Sequence, residues 1–270
     1  MSSEAIQVDG IWSSLGEDGV ARLEIDRPGQ LNALDDRASA RIIELCRLWS
    51  DDPAVRVLVL SGRGGAFSAG ADVAGMAGSA LAAGGSGGFD EADSRAIIEN
   101  GSQLVSAVRS VPVPVVAALD GAAVGIGASL AVAADLVYAT ARSYFMLAFV
   151  NIGLMPDGAA SATFAASVGR ARANAMALLG EKLWAAEDFD YGLINGFVEE
   201  AEALESVVNR VVAKLLRTSR SALVATKSAM DAHTLSGFGA AVDREIAGQT
   251  QLLQSPEFTA ALRAFASGGQ

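Results

Sequence analysis

Two short segments of small residues could together hold an oxyanion. The first is Gly65-Ala66-Phe67-Ser68-Ala69-Gly70-Ala71-Asp72-Val73, and it follows an apolar run at 55–60 broken only by Arg56. The second is Gly121-Ala122-Ala123-Val124-Gly125-Ile126-Gly127-Ala128-Ser129-Leu130, and it follows the run 113–119. Apolar runs of this length read as buried strands. With so little side chain beyond each strand, backbone can approach a ligand closely and aim N–H groups at it. Two such turns, each leaving a strand and entering a helix, could bring two N–H donors to one oxygen, the architecture of an oxyanion hole. Taken singly, each reads better as a glycine-rich strand–helix turn with no ligand. Neither carries the Gly-Lys-Ser/Thr of a phosphate-binding loop, and neither matches G-x-G-x-x-G.

These loops resemble those of the crotonase family, the enoyl-CoA hydratase/isomerase superfamily. Four segments carry the resemblance in the family's order and spacing: Arg27-Pro28-Gly29-Gln30-Leu31-Asn32-Ala33-Leu34, then 66–73, 121–135 and Gly153-Leu154-Met155-Pro156-Asp157. A C-terminal helical region ending near Ala264 and Phe265 extends it over nearly the whole chain. The resemblance implies an α/β fold, a crotonase spiral of ββα repeats with a C-terminal helical region that builds a homotrimer or a dimer of trimers. It implies an acyl-CoA thioester as substrate, with coenzyme A part of that substrate and no separate cofactor. By the same analogy Ala71 and Ile126 donate their backbone N–H groups to the thioester carbonyl. A side chain is immaterial to such donation, so Ile126 is acceptable where many relatives carry glycine. Gln30, Leu31, Ala69, Asp72 and Val73 would join them in lining the groove for the nucleotide and pantetheine. Asp72 has a competing use as a turn or helix-cap residue.

The acid/base positions depart from those of the family's hydratases, which carry two glutamates that hold and activate water. The first should fall in the helix after Gly127, where Ser129 stands, and the second after Phe145, where Phe149 stands. A hydroxyl and a phenyl ring cannot position and deprotonate water between them. One carboxylate remains, Asp157, at a point where acyl-CoA isomerases of the family often carry a single Asp or Glu facing the substrate. One carboxylate suffices to move a proton from C2 to C4 of a 3-enoyl thioester. Two other readings stay open for Asp157 and the pocket: an N-cap for a helix starting at Gly158, and an acyl-CoA-binding protein without catalysis. Apolar neighbours Leu154, Met155 and Phe149 would raise the Asp157 pKa, and the helix N-terminus would lower it.

The elements that must position these residues follow from pattern. Short strands are expected at 6–8, 11–13 and 20–25, the last with Arg22 and Glu24 on its wet face. A helix is expected over 35–48, ended by Asp51-Asp52-Pro53. Residues 74–93 contain Gly84-Gly85-Ser86-Gly87-Gly88 and should be a mobile loop after the first oxyanion segment. A helix over 91–110 precedes the second strand–loop–helix unit, and further strands are expected at 135–139 and 144–147. The helix opened by Met155-Pro156-Asp157-Gly158 should stop at Gly169. From 204 onward only helices are expected. No linker divides the chain, so residues 1–200 form an α/β core and 201–270 a helical region of the same unit, with more apolar helix face than one domain surface usually needs.

Composition narrows the remaining choices. The chain has 270 residues, 51% of them hydrophobic, and a mean hydropathy of +0.34, enough for a sizeable core. A net charge of −11 opposes binding to nucleic acid or to an anionic membrane surface. One cysteine, Cys46, and one histidine, His233, exclude an internal disulfide, a cysteine-rich metal site and a three-histidine zinc site. Cys46 reads as a buried side chain and His233 as a partly exposed helical residue. Asp120 reads as turn chemistry, Asp135 as a strand anchor, and Lys227 as a surface residue. There is no basic segment followed by an apolar one at the start, and no long charge-free run, so a cytoplasmic protein is the expectation.

Overall fold

The alternating apolar residues at the start of the chain form an antiparallel set. In the computed structural model, which describes residues 5–82 and 89–266, β1 (Ile6–Val8), β2 (Ile11–Leu15) and β3 (Val20–Ile25) pair in that order. A 3-10 turn at Pro28–Gln30 leads to α1 (Asp36–Asp51). The carboxylate of Asp35 caps α1 by accepting the Ala38 N–H at 2.9 Å. Cys46 lies buried on the inner face of α1.

A unit of two strands and a helix then repeats. It appears as β4 (Val57–Gly62) and β5 (Ala66–Ser68), followed by α2 (Val73–Ala82) and α3 (Glu91–Arg109). It returns as β6 (Val115–Leu119), β7 (Ala122–Val124) and α4 (Ile126–Val132). A third copy is β8 (Leu136–Thr140), β9 (Tyr144–Met146) and α5 (Ala160–Leu179). In each unit the first strand joins a seven-stranded sheet and the second joins a four-stranded one. The chain continues through β10 (Leu183–Trp184), α6 (Ala185–Asp190) and β11 (Gly196–Val198). The large sheet runs β1-β2-β3-β4-β6-β8-β11, parallel from β3 onward, and the small sheet runs β10-β9-β7-β5. This is the expected spiral of ββα units.

The central strands β4 and β6 of the large sheet are buried on both faces, which explains why they read as continuous apolar runs. Leu58 and Leu60 enter the main core with Val115, Ala117 and residues of α1 and α3. Their neighbours Val57 and Val59 turn the other way, with Val116, against Leu204, Val208 and Val212 of α7 (Ala201–Leu216). After α7 come α8 (Arg220–Thr234), α9 (Phe238–Leu252) and α10 (Pro256–Ala266). His233 is exposed in the last turn of α8.

Three expectations need correction. Residues 73–82 are helical rather than a loop. The segment carries glycines, but Ala, Leu and Met supply helix propensity, and the Asp72 carboxylate accepts the Gly75 N–H at 2.9 Å as a cap. Ala77 anchors this helix against Ile98, Leu253, Phe258 and Leu262. The glycine run at 84–88 lies outside the described residues. Lys227 is not a surface residue: its Nζ donates to Asp135 Oδ2 at 2.7 Å, and that carboxylate also accepts the Val115 N–H. The pair ties α8 to the end of β6. Finally, the helix after Asp157 begins at Ala160 rather than Gly158, with left-handed Ala159 as its N-cap residue; Gly169 (φ 74°, ψ 159°) is non-helical and ends its first piece as expected, and a second piece runs on to Leu179. Among the described residues, no helix is long and apolar enough to cross a membrane.

Candidate functional site

The two oxyanion-type segments meet because β5 and β7 are parallel neighbours, with Ala66 opposite Ala122 and Ser68 opposite Ala123. Glycine permits the approach. A Cβ on Gly70 (φ +96°) would fall 2.8 Å from the Val124 carbonyl oxygen and 3.7 Å from Gly125 Cα. A Cβ on Gly127 would fall 2.7 Å from Ser68. The first segment is held from behind by Asn32. Its amide donates to the carbonyls of Arg63 and Ala66 at 2.8 and 2.7 Å, and its oxygen accepts the Arg27 N–H. On the outer side Leu34 donates to Gly70 O and Asp72 to Leu34 O. Ala71 is bridged to Leu34 in this way, and Ile126 is the first residue of α4, where a helix leaves its N–H groups without intrahelical partners.

Both residues line one cavity of about 670 Å³. Gln30, Ala69, Asp72 and Val73 line it as well, and so does Asp157, so the structure gathers seven of the eight expected site residues. Leu31 is not in the wall. It sits in a left-handed turn (φ 50°), its side chain is 59% exposed, and its carbonyl accepts the Ala69 N–H at 2.9 Å. Gln30 is fixed by Arg27, whose Nη2 donates to its Oε1 at 2.6 Å and lies 3.6 Å from Asp72 Oδ2. The deeper wall is apolar: Ile97, Ile98, Phe149, Leu154, Leu253 and Phe258.

Asp157 is the buried carboxyl of this cavity, 7% exposed. Its Oδ2 accepts from Gln249 Nε2 at 3.3 Å, and its Oδ1 has no hydrogen-bond partner among the described residues. Burial pushes its pKa up to about 7; the Gln249 hydrogen bond opposes the rise and the charge of Glu245 adds to it. The two positions where a hydratase would carry glutamates flank it without supplying charge. Ser129 is buried and its hydroxyl donates to the Asp157 backbone oxygen at 2.8 Å, while Phe149 is part of the cavity wall.

Asp157 does not cap α5. That role falls to Glu245 of α9, whose carboxylate accepts the Ala159 N–H at 2.6 Å, the Ser161 N–H at 2.9 Å and the Ser161 hydroxyl. Burial raises the Glu245 pKa against the opposing effect of these donors. One turn further along α9, Gln249 Oε1 accepts the Met155 N–H at 3.1 Å. Asn32, Glu245 and Gln249 are the working residues that pattern reading missed. For the last two a signal existed: α9 buries positions 241, 245 and 249 on one face, and two of these are polar. What they would bond to, nearly a hundred residues earlier, had no trace in the pattern.

A cavity with one buried carboxyl, two glycine-backed loops and an apolar depth is suited to chemistry at carbon beside a carbonyl. Comparison with known proteins agrees with that character. The family pattern described as Enoyl-CoA hydratase/isomerase matches residues 16–270. A trans-2-decenoyl-acyl-carrier-protein isomerase of Streptococcus mutans is 31% identical over 250 residues, covering 92% of this chain and 92% of its own. A probable enoyl-CoA hydratase of Rhodobacter capsulatus is 35% identical over 249 residues, covering 92% of this chain and 91% of its own. The crystal structure of an enoyl-CoA hydratase from Mycobacterium avium subsp. paratuberculosis superposes with a TM-score of 0.85 at 39% identity, covering 97% of each chain. On its fold, its loops and these matches, the chain belongs to the enoyl-CoA hydratase/isomerase family, within the crotonase superfamily.

Proposed function

We propose that the protein shifts a double bond along an acyl thioester, converting 3-enoyl to 2-enoyl, with Asp157 as its single acid/base. The observation that carries this reading is the Asp157 carboxyl: buried in the cavity, engaged at Oδ2, and unpartnered at Oδ1 among the described residues. Ionised Asp157 takes a proton from C2. The electron pair of that C–H bond flows into the thioester, giving a dienolate whose negative oxygen accepts from the Ala71 and Ile126 N–H groups. Each such donor is worth roughly 2.7–4 kcal/mol where removal has been measured. The same proton then goes to C4, the C3–C4 double bond becomes C2–C3, and the carboxylate is regenerated. A pKa pushed up to about 7 suits a group that must take and return a proton near neutrality.

Hydration needs a second group to hold and activate water, and Ser129 and Phe149 do not provide one. Ser129 spends its hydroxyl on the Asp157 backbone, and Phe149 adds to the apolar wall that keeps water from a reactive enolate. Gln30, Ala69, Asp72 and Val73 take the pantetheine and nucleotide side of the thioester, largely through backbone. The relative named for acyl-carrier-protein chemistry and those named for coenzyme A share a thioester on a pantetheine arm, which is the part such a groove recognises. The reaction moves one proton and requires no redox partner, and coenzyme A enters as part of the substrate.

A side-by-side assay on 3-enoyl-CoA and trans-2-enoyl-CoA tests the reading. Conversion of the first to the 2-enoyl product, with little hydration of the second, is the expected result. Fast hydration of the second would replace this reading with a hydratase, and binding without turnover of either would leave an acyl-CoA-binding protein.

A further inference from the structure

We propose that Gln249 of α9 is a positioning residue that holds the Asp157 carboxyl by one oxygen and so reserves the other for the substrate. The proposal rests on Asp157 as the proton carrier. Its geometry is set by two hydrogen bonds from one amide. Gln249 Oε1 accepts the Met155 N–H at 3.1 Å, and Nε2 donates to Asp157 Oδ2 at 3.3 Å. Because a backbone N–H can only donate, the amide oxygen must face Met155. The amide nitrogen therefore faces the carboxyl, and it too can only donate. Gln249 thus always offers Asp157 a donor, and a donor favours the ionised form that acts as base.

The clamp is built into the helix. Gln249 is 1% exposed and Glu245, one turn earlier on the same face, is fully buried. Together they bond the Met155, Ala159 and Ser161 N–H groups, so α9 serves as a template for the whole 155–161 segment. Gly248 lets α9 lie close: a Cβ there would fall 2.5 Å from the Met155 sulfur. A carboxyl held at Oδ2 cannot swing freely about its last bond. The proton taken from C2 and returned to C4 then travels on one oxygen, Oδ1, across one face of the acyl chain. Glu245 is the ionisable group whose charge acts on Asp157; α4 brings Ile126 and Ser129, and the 148–154 stretch brings Phe149 and Leu154.

The test is a titration of the Asp157 carboxyl by carbon NMR on protein labelled at the aspartate carboxyl carbon, with the Asp157→Asn spectrum assigning the resonance. Two uncharged variants remove the donor to Asp157. Gln249→Leu removes both bonds, whereas Gln249→Met keeps the length of the side chain and a weak acceptor, its thioether, with no donor. Both should move the midpoint upward, by about one pH unit or more. In isomerisation, kcat at pH 7 should fall roughly tenfold and the acidic limb of kcat/KM should move with the NMR midpoint, while KM stays within about threefold. If Gln249→Leu does not fold, Gln249→Met carries the same test. An Asp157 midpoint unmoved in the folded variant overturns the proposal. Midpoints that move in a protein whose wild type isomerises nothing would uphold the clamp and overturn the isomerase reading.

Discussion

Glu245 caps the helix that Asp157 precedes. By accepting the Ala159 and Ser161 N–H groups, it takes over the capping task that an aspartate at 157 would ordinarily perform. The Asp157 carboxyl is left to face the cavity, where one oxygen meets Gln249. Two carboxylates near one helix end are thus set apart: Glu245 on α9 takes the structural task, and Asp157, in the stretch before α5, is left for the chemistry proposed.

Asp157→Asn should therefore remove activity without unfolding the site. Asn keeps the size of the side chain and an acceptor for Gln249 but cannot take a proton. We expect kcat for 3-enoyl-CoA isomerisation to fall at least roughly 100-fold, with acyl-CoA affinity little changed. A fully active Asn variant, measured under saturating substrate, would remove Asp157 from the mechanism.

Glu245→Ala should act the other way round, on stability first. It strips three donors at the head of α5 of their acceptor. The expected loss is about 1–2 kcal/mol, the upper range for a cap, read from chemical denaturation at pH 7. A variant as stable as wild type would mean that water or another side chain satisfies those donors equally well.

Stability should decline as pH rises from acid toward alkaline. Burial raises Asp157 to about 7, and burial followed by the charge of Glu187 raises Asp188 to about 8; Asp188 lies fully buried in α6 with neither oxygen partnered among the described residues. Between an ordinary carboxyl value near 3.8 and these raised values, the folded protein binds more protons than the unfolded chain. The stabilising contribution is complete below the unfolded pKa and is lost as pH climbs through the folded one. Each group can contribute a slope of up to about 1.4 kcal/mol per pH unit in that window. Melting temperatures from pH 4 to pH 9 should fall, and Asp157→Asn or Asp188→Asn should each flatten the decline. A melting temperature that rises over this range in wild type and is unaffected by either variant would contradict both assignments.

Gly70→Ala should separate the two loops. The backbone there has φ +96°, and the added Cβ would lie 2.8 Å from the Val124 oxygen, a backbone atom that cannot rotate away. Spreading the loops would pull the Ala71 N–H off a shared oxyanion. We expect kcat/KM to drop at least roughly tenfold, the smaller part of what one lost donor costs. Wild-type kcat/KM in this variant would show that the donors do not depend on close contact between the loops.

A homotrimer, or a dimer of trimers, is the assembly we expect. Within the chain α8 buries no residue, although Lys227 and Arg220 anchor it to the sheet. Large apolar side chains at Leu178, Leu179, Trp184, Phe189 and Tyr191 stand partly exposed along 178–191. Light scattering at micromolar concentration should give a multiple of three chains; a stable monomer would sink the expectation.

The order of most elements was legible in the residues, and the family resemblance carried by four motifs supplied the spiral of ββα units and most of the cavity lining. The elements are local: an apolar run followed by small residues reads as a strand entering a close-packed turn, and the turn residues carry their own backbone requirements. The segment 73–82 misled the reading because its glycines were weighed above its alanines and above the cap that Asp72 supplies at Gly75. Lys227 misled it because a charge on a mostly exposed helix gives no sign of an Asp135 waiting beneath. Whether Asp157 was a cap or an acid/base could not be decided from its neighbours, since either use fits an aspartate before a helix. Tertiary structure removed the cap reading through Glu245, and set Gln249 against the carboxyl; both come from the far end of the chain. Hydrogen bonds between residues so distant leave no periodic trace, because their partners are fixed by how α9 packs rather than by any local spacing.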